Sequence, residues 1–454
     1  MANNTAKDFS VGKMSRNILS QSVPLIVANL VHLLYNVVDR IYIGHLPGIG
    51  SLALTGIGLA FPLTTLIAAF TNLFATGGTP LFSIARGQRN EERAEKIIGQ
   101  VFFWLILLSV ILFTLCYTFK KPILYAFGAS DESFSFANDY LKIYLCGTLF
   151  AMISTGMNGF INASGFPKVG MATVTIGALL NIALDPLFIF VFRWGVSGAA
   201  LATVLSQAAS FLWVILFFKG KKTAYRIRLV HMKPDRQLTG RICSLGLSGF
   251  IMQGTNFAVQ IVCNMTLRTF GGDLYVGIMT ILNSVREIAA LPVQSLTAGS
   301  QPVLGYNYGA KKYARVREGI RFSSITGAVY MVAAWIAVIS IPHLLISIFT
   351  SDAAMIEAGT RVLRIYFFGF LFMGLQFSAQ SSFTALGCAK RAVFFSIFRK
   401  VILVVPLTLL LPVHGFGVNG VFMAEPISNV IGGLASFTVM ILTLYRTLPK
   451  KDEV

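Results

Sequence analysis

Long apolar segments alternate with short polar connections along the whole of this 454-residue chain. A helix needs about 20 apolar residues to cross a bilayer, and segments of that length recur in both halves. Six lie in each half, covering roughly 15–46, 50–84, 94–119, 135–163, 167–191 and 194–219, then 238–270, 274–308, 314–340, 357–385, 389–412 and 416–446. This pattern predicts an all-α polytopic membrane protein with twelve transmembrane helices.

The two halves of the chain repeat each other at an offset of 222 residues, so that Tyr144 and Gly147 return as Tyr366 and Gly369. Further matched segments are 80–87 with 302–309, and 195–202 with 417–424. Because each half has six spans, both halves share one orientation in the membrane. The repeat is therefore predicted to be parallel, with its axis along the membrane normal.

The repeat also predicts the domain organisation. We expect an N-terminal six-helix lobe over 1–219, a basic cytoplasmic linker over 220–237 and a C-terminal six-helix lobe over 238–454. The linker is the one long hydrophilic connection in the chain. Two interpretations of it stay open, a contact with anionic lipid and a connection that only fixes the topology.

Composition and charge support a membrane protein. Hydrophobic residues make up 55% of the chain and charged residues 12%, against about 25% in soluble proteins. The net charge of +19 is unevenly placed: with a cytoplasmic N-terminus, 26 basic residues fall on the cytoplasmic side and 6 in the outer loops. This bias is typical of membrane topology and argues against nucleic-acid binding. It predicts a protein of the plasma (cytoplasmic) membrane with both termini in the cytoplasm.

The cysteines do not predict a disulfide framework or a metal site. There are five, an odd number, and most lie within predicted spans. They are interpreted as small buried hydrophobic residues.

Acidic residues inside the spans are the strongest candidates for function. Four of the 18 acidic residues lie there, Asp39, Asp185, Glu287 and Glu425. An ionisable group at the bilayer centre costs about 2.5–3.5 kcal/mol on insertion scales, so such groups are rare and mark ion or substrate pathways. A hydrogen-bonded structural network is the alternative explanation.

Polar residues at helical spacing accompany the first two of these acids. Asn29, His32, Asn36 and Asp39 follow one another at steps of three or four, which places them on one face of a helix. The same spacing pairs Asn181 with Asp185, Asn158 with Asn162, and Thr203 with Gln207. Carboxylate, amide and hydroxyl oxygens suit a small hard cation, or a proton held on one carboxylate.

The second half has a different polar inventory. Its first span carries a neutral stripe of amides that includes Gln253 and Asn256, and later spans carry Asn283 with Glu287, and Gln376. Thr203 is the repeat mate of Glu425, and Thr65 is that of Glu287. The halves therefore agree in scaffold and differ in charge. Glu287 is expected either to serve function or to pair with Arg286 or Arg40.

These residues and motifs resemble the multidrug and toxic compound extrusion (MATE) family over about residues 15 to 446, in its Gram-positive bacterial branch. The segments that carry the resemblance are NVVDRIYIGHL at 36–46, LNIALDPLFIF at 180–190, GVSGAALAT at 195–203, QPVLGYNYGAKKY at 301–313 and GVNGVFMAE at 417–425. The resemblance implies twelve helices in two lobes around a V-shaped cavity. It also implies alternating-access export of lipophilic organic cations, by antiport with Na⁺ or H⁺.

Carried over residue by residue, the resemblance implies a coupling site for a cation or proton in the first lobe. Its members are Asp39, Asn158, Asn181, Asp185 and Thr203, of which Asp39, Asn181 and Asp185 would hold a Na⁺ ion. Other branches of the family place coupling acids in the seventh and tenth spans. This chain has Gln253, Gln260, Gln376 and Gln380 there instead, which favours the first lobe.

A cavity rich in aromatic, Met and amide side chains is expected to receive the substrate. Its predicted lining is Tyr35, Asn36, Gln253, Asn256, Asn283, Glu287 and Gln376. The predicted partners are small organic cations and membrane lipids. We expect a monomer with no cofactor other than the coupling ion and no nucleic-acid partner.

Three other functions are alternatives to drug export, and each predicts features that can be compared with this sequence. A flippase for lipid-linked precursors or polysaccharides, from the same superfamily, would need a more cationic cavity because its substrate is a pyrophosphate. Arg40 and Arg286 are the only arginines deep in the spans apart from Arg399. A major-facilitator transporter would carry a G-x-x-x-D-R loop, which does not match here. A membrane enzyme would need a convergent set of nucleophile or metal ligands, so the chain is predicted not to be an enzyme.

Overall fold

The computed structural model describes residues 8–44, 50–126, 131–220, 223–350, 352–449 and 452, and these ranges contain helices and no strand. The first half folds as α1 (Met14–Gly44), α2 (Gly50–Gly87), α3 (Glu91–Ala126), α4 (Asp131–Cys146), α5 (Thr148–Ala163), α6 (Pro167–Pro186), a π-helical turn (Leu187–Val191) and α7 (Gly195–Lys219). A short 3₁₀ turn, Leu229–Met232, lies in the connection to the second half.

The second half begins with one long helical run, α8 (Arg236–Gly309), which is broken at Gly272, where φ is +72°. It continues as α9 (Tyr313–Ser340), α10 (Pro342–Ser347), α11 (Ala353–Phe367), a 3₁₀ turn (Phe370–Phe372), α12 (Met373–Ala385), α13 (Ala389–Ile397), a π-helical segment (Phe398–Val404), α14 (Val405–Leu411), a second π-helical turn (Pro412–Phe416), α15 (Gly417–Met440) and a third (Ile441–Tyr445).

The number of membrane spans agrees with the predicted twelve. Within the described ranges, nine helices are long and apolar enough to cross a membrane, or eleven if each of two bent helix pairs is one span. One of the nine, Ala389–Tyr445, contains a reversal at Gly415 and Gly417, where φ is +94° and +52°. That run therefore contains two spans, which brings the total to twelve and confirms the predicted all-α membrane fold.

The internal repeat is visible in the backbone itself. Positive φ angles occur in pairs separated by the same 222 residues. The pairs are Arg89 (56°) with Lys311 (57°), Gly165 (95°) with Gly387 (76°), Arg193 (57°) with Gly415 (94°), and Gly195 (52°) with Gly417 (52°). Residues other than glycine rarely adopt this left-handed backbone conformation. Its occurrence at matching positions therefore shows that both halves have the same loop geometry.

Each half also contains a bent span at the equivalent place. The helices on either side of Gly147 meet at 57°, and those around Gly369 meet at 42°. A side chain on Gly147 would lie 2.8 Å from Oε1 of Gln207, and one on Gly369 would overlap the backbone of Pro426. A glycine is needed at both bends because the sixth span of the same half packs directly against it.

Contacts divide the chain into two compact units, one formed by Val23–Gly246 and the other by Phe9–Ser22 with the residues from Leu247 onward. The start of α1 therefore packs with the second half. Ser22 Oγ donates to the carbonyl oxygen of Leu296 at 3.2 Å. Asn307 Nδ2 donates to the carbonyl oxygen of Phe9 at 3.1 Å. Likewise, the first turns of α8 pack with the first half, where Trp104 Nε1 donates to Thr239 Oγ1 at 3.0 Å.

The connection between the halves is docked on α3. Glu95 and Gln100 are buried on that helix. Glu95 accepts from the backbone of Arg226 at 3.1 Å, and Gln100 accepts from the backbone of Asp235 at 3.0 Å. Tyr225 inserts its ring against Phe82, with 5.1 Å between centroids. Lys221 and Lys222, two basic residues of the predicted linker, lie outside the described residues. The predicted boundaries of the two lobes and the linker stay a prediction.

Candidate functional site

Two of the intramembrane acids come together in the first unit. Asp185 lies in the last turn of α6 and is completely buried, and Asn181, one turn earlier on the same face, is almost completely buried. The carboxyl group of Asp39, from α1, lies within hydrogen-bonding reach of Asp185. The spacing of four residues in α6 determines this arrangement because residues i and i+4 share one helical face.

Hydrogen bonds link this pair to α7. Asn181 Nδ2 lies 3.3 Å from Oδ1 of Asp185 and 3.4 Å from Oγ1 of Thr203. The Thr203 hydroxyl donates to the carbonyl oxygen of Ala199 at 3.0 Å, so its proton is already used within α7. Its lone pairs therefore face Asn181. Asp39, Asn181, Asp185 and Thr203 thus form one cluster, which we call the acid cluster; its function stays a prediction.

The acid cluster has more acceptor oxygens than donors. Oδ1 of Asn181 is buried and has no hydrogen-bond partner in the described part of the chain, and Oδ2 of Asp185 is buried there with no donor except the carboxyl group of Asp39 when that group is protonated. A buried acceptor without a donor costs about 1–3 kcal/mol, so this arrangement favours binding a species that oxygen ligands stabilise. A Na⁺ ion fits, since two carboxylates, an amide and a hydroxyl are hard oxygen ligands. A proton shared by the two carboxyl groups fits as well.

Asn158 lies elsewhere. A side chain on Gly170 would lie 3.1 Å from Oδ1 of Asn158, which places that amide beside the first turn of α6. Fifteen residues separate Gly170 from Asp185 along α6, about 22 Å at 1.5 Å per residue. The structure therefore does not bring Asn158 to the acid cluster, although the sequence resemblance groups them.

Tyrosines from two helices surround the acid cluster, and only Tyr35 is among the residues that the sequence predicts for a site. Tyr35 of α1 interacts electrostatically with Asp39, Asp185 and Tyr144. Tyr140 and Tyr144 stack with their ring centroids 5.5 Å apart, on one face of α4, and Tyr140 also interacts with both acids. The spacing of four between Tyr140 and Tyr144, in a segment with polar neighbours, was an available indication of their position.

The predicted cavity residues of the second unit do not form a buried group. Asn256 and Glu287 are exposed, while Gln253, Asn283 and Gln376 are partly buried. Asn283 accepts a hydrogen bond from the Tyr366 hydroxyl at 3.0 Å. The side chains of Asn36 and Arg40 lie outside the described residues. The assignment of these residues to a substrate cavity stays a prediction.

A second charged cluster, which no sequence pattern predicts, lies within the second unit. Oε1 of Glu425 on α15 lies 3.1 Å from Arg286 Nη1, 3.0 Å from Arg399 Nη1 and 3.0 Å from Lys400 Nζ. We call these four residues the basic cluster. Arg286 therefore pairs with Glu425, whereas the sequence had offered Glu287 as its partner. Lys400 was overlooked, although a lysine next to an arginine inside a span is itself unusual.

Comparison with known proteins identifies relatives along nearly the whole chain. The model of the MatE family matches residues 24–187 and 249–410. The Multidrug export protein MepA of Staphylococcus aureus (strain N315) is 25% identical over 446 residues, 98% of each chain. A MepA from Staphylococcus saprophyticus subsp. saprophyticus is also 25% identical, over 447 residues and 98% of each chain.

Solved structures have the same fold. An outward-facing multidrug resistance MATE family transporter of the MOP superfamily superposes with a TM-score of 0.89 at 22% identity, covering 96% of this chain and 97% of that chain. A MOP superfamily transporter from Pyrococcus furiosus superposes with a TM-score of 0.90 at 22% identity, covering 98% and 99%. That protein is described as having a binding pocket of reverse polarity.

Proposed function

Because this chain belongs to the MatE family, we propose that it is a secondary active multidrug efflux transporter that exports lipophilic organic cations by alternating access. The export is driven by Na⁺ or H⁺ moving inward through the acid cluster. The names of the relatives, which are multidrug export proteins, support export of drugs. The protein acts in the plasma membrane as a monomer, with small organic cations and lipids as its partners.

The observation that carries this proposal is the contact of Asp39 with Asp185 inside a membrane bundle. Two carboxyl groups within hydrogen-bonding reach of each other repel if both are ionised. Either one of them takes up a proton or both bind a cation. The acid pair therefore alternates between a state with a bound proton or Na⁺ and a state without one, and it binds one cation at a time. That is the chemistry of an antiporter in which ion binding and drug binding exclude each other.

The position of the acids connects ion binding to helix movement. Asp185 is followed by Pro186 and then by the π-helical turn Leu187–Val191. Proline removes a backbone hydrogen bond and π-helical turns loosen the helix, so this end of α6 bends readily. Neutralising Asp185 changes its hydrogen bond to Asn181 and through it the contact with Thr203. The bending point lies one residue from the acid that senses the ion.

The ion gradient supplies the driving force, and the membrane potential contributes only where the coupling ions carry more charge inward than the drug carries outward. Each net elementary charge that moves across 100 mV is then worth about 2.3 kcal/mol, which corresponds to roughly fiftyfold accumulation. In a one-for-one exchange of monovalent cations, the Na⁺ or H⁺ concentration gradient is the whole driving force. Exchange of a coupling ion for a drug can therefore maintain a large concentration difference without hydrolysis of a nucleotide.

Efflux from proteoliposomes tests the proposal and separates the two ions. Purified protein is reconstituted, a lipophilic cationic dye is loaded, and a Na⁺ gradient or a pH gradient is imposed separately at fixed membrane potential. We expect one of the gradients to drive dye movement and the other to have little effect. Absence of dye movement under both gradients, with folded protein in the liposomes, would contradict the proposed export of organic cations.

The basic cluster gives one reason to keep a second candidate function. A flippase for lipid-linked precursors or polysaccharides must hold a pyrophosphate, and three cations around one carboxylate would suit that group. Translocation of a fluorescent lipid pyrophosphate in the same proteoliposomes distinguishes the two. Export of cationic dye without lipid translocation supports the first function.

A further inference from the structure

The basic cluster of the second unit has more positive charge than its own carboxylate can neutralise. Arg286, Arg399 and Lys400 surround Glu425, and Lys400 contacts both oxygens of that carboxylate, at 3.0 and 3.3 Å. With all four groups ionised the cluster carries two excess positive charges. Exposure is 7% for Arg399, 4% for Lys400 and 7% for Glu425, so water does not reach these three groups, whereas Arg286 is partly exposed and also interacts electrostatically with Glu287.

The hydrogen-bond donors are also in excess. A guanidinium has five N–H groups and an ammonium has three, whereas one carboxylate accepts about four hydrogen bonds. Oε1 of Glu425 already receives hydrogen bonds from all three cations. Asn429 Oδ1 takes one further bond from Arg399, at 2.7 Å. Nε of Arg399 is buried and has no partner within the described residues. The cluster therefore lacks an acceptor.

A purely structural role does not explain this excess. A structural ion pair with Glu425 needs only one of the three cations. Each additional buried charge destabilises the protein by several kcal/mol unless it is compensated. In a membrane span the cost is about 2.5–3.5 kcal/mol for each ionisable residue on insertion scales. The positions of Arg399 and Lys400 are occupied by Gly177 and Ala178 in the first repeat. The shared fold therefore does not require a cation at these positions.

The basic cluster shares two repeat positions with the acid cluster and its surroundings, while its three cations stand at the positions of Thr64, Gly177 and Ala178, outside that cluster. Glu425 stands at the position of Thr203, and Tyr366 stands at that of Tyr144. Tyr366 interacts electrostatically with Arg286 and Glu425, as Tyr140 does with the two acids in the other half. The fifth and sixth spans thus form an oxygen-rich site in one half and a nitrogen-rich site in the other.

We propose that Arg286, Arg399 and Lys400 form a binding site for the anionic group, a carboxylate or a phosphate ester, of an organic molecule. Arginine forks match both groups with paired hydrogen bonds, and lysine adds a point charge. An anion would contact Arg286 first, because the side chain of Arg286 is 27% exposed while the other two cations are buried. The site goes beyond the proposed export of cations, which assigns no function to these residues, and it does not require the second candidate function, in which the same cations would hold a pyrophosphate.

Glu425 sets the strength of this site. Its carboxylate occupies donors that an incoming anion would use, so it acts as a competing internal ligand. An anion that binds at Arg286 draws the guanidinium away from Glu425, while Lys400 keeps both carboxylate oxygens occupied. Removing the negative charge of Glu425 should therefore strengthen anion binding, and removing a cation should weaken it. A structural salt-bridge network predicts no such opposite effects.

Binding measurements on the full-length protein in nanodiscs test the proposal. The probes are benzoate, inorganic phosphate and dodecyl phosphate, titrated calorimetrically into protein in phosphatidylcholine discs. We expect saturable binding of at least one organic anion. Arg286→Gln and Lys400→Met should each weaken it roughly tenfold or more, because each removes a charge-assisted hydrogen bond. Glu425→Gln should strengthen binding. Lys390→Gln removes an exposed cation from the start of α13 and is the matched control, with unchanged affinity.

A second arm distinguishes the source of the anion. In discs that contain phosphatidylglycerol, loss of benzoate binding together with a raised unfolding temperature would identify a lipid headgroup as the ligand. Unchanged benzoate binding would identify a free organic anion. The proposal is overturned if wild-type protein binds none of the probes and phosphatidylglycerol has no effect, or if Arg286→Gln binds as wild type does. If Glu425→Gln and Lys400→Met do not fold, Arg286→Gln at the exposed edge still decides. Because the readout is binding, it does not depend on the export of cations.

Discussion

Asn181 Nδ2 lies 3.3 Å from Oδ1 of Asp185, one turn apart on the buried face of α6, and the same nitrogen lies 3.4 Å from the hydroxyl of Thr203. One amide therefore connects the acid of the fifth span to the sixth span. Any change in the charge of Asp185 alters the hydrogen bond that it receives from Asn181. The contact between α6 and α7 is thereby tied to the charge state of the acid pair.

This relationship predicts that both acids of the cluster are required for coupling. Asp39→Asn and Asp185→Asn should each abolish gradient-driven dye efflux while expression stays near normal. The double variant should be no worse than either single variant, since residues that act as one unit are not additive. Efflux in reconstituted liposomes checks this. Asp139→Asn, an exposed acid paired with Lys142 at 3.3 Å, is the matched control.

Drug binding should survive these substitutions better than transport does. If Asp39→Asn kept full efflux under an ion gradient while Glu287→Gln lost it, the coupling site would lie in the second half. The acid cluster would then be a structural network.

A glycine in α7 holds the acid cluster at its correct spacing. A side chain on Gly198 would lie 2.8 Å from the backbone of Phe188, in the π-helical turn that follows Asp185 and Pro186. Gly198→Ala should push α7 away from α6, lengthen the contact between Asn181 and Thr203, and cost roughly 1–3 kcal/mol as overpacking does. We expect a lower unfolding temperature and reduced efflux. Gly240→Ala, where a side chain meets open space, should have neither effect.

Local sequence predicted the members of the acid cluster within each span, and the family resemblance grouped them across spans. The repeat, the spans and the shared face of Asn181 and Asp185 follow from periodicity in single segments. Asp39 was found for the same reason, as the end of a polar stripe. Both acids were then grouped by resemblance, and the structure brings them together.

The basic cluster could not be predicted in this way because its contacts are long-range. Arg286 lies on α8, Arg399 and Lys400 in the π-helical segment before α14, and Glu425 on α15. No spacing rule links residues that are far apart in sequence and whose helices pack only in three dimensions. The start of α1 packs with the second half for a similar reason: its contacts are made to the backbone of Phe9 and Leu296. Such backbone contacts leave no side-chain pattern in the sequence.

One buried amide makes several of the hydrogen bonds that dock the inter-repeat connection on α3. Gln100 donates to the carbonyl oxygens of His231 and Lys233 and accepts from the amide of Asp235. Gln100→Leu would leave these backbone groups without partners, at about 1–3 kcal/mol for each group that stays buried. We expect faster proteolysis within 223–235 and a lower unfolding temperature. Gln237→Leu, an exposed glutamine in the next helix, is the control and should behave as wild type does.

The same connection should loosen in acid. A hydrogen bond from Lys96, 2.7 Å away, holds the pKa of the Asp235 carboxyl below its usual range. A carboxyl whose pKa is lower in the folded state stabilises that state above its unfolded pKa of about 3.9. This stabilisation is lost as the pH falls through the folded value. Proteolysis of the connection should therefore accelerate below about pH 4, and Asp235→Asn should remove that part of the pH dependence. An unchanged pH profile in Asp235→Asn would show that another group is responsible.

The charge distribution predicts the orientation of the chain, which the contacts alone do not determine. Positive residues concentrate on one side of the membrane because the membrane potential and the insertion machinery retain them in the cytoplasm. A cysteine placed at Lys233, in the basic connection, should therefore resist a membrane-impermeant maleimide added to intact cells. One placed at His414, in the exposed turn before α15, should react. Protein without an introduced cysteine gives the background from the five natural free cysteines. After the cells are opened, both positions should react, which shows that Lys233→Cys is protected by the membrane and not by the contacts of the connection with α3. Labelling of Lys233→Cys in intact cells, with His414→Cys protected, would invert the topology and place the proposed ion entry on the opposite face.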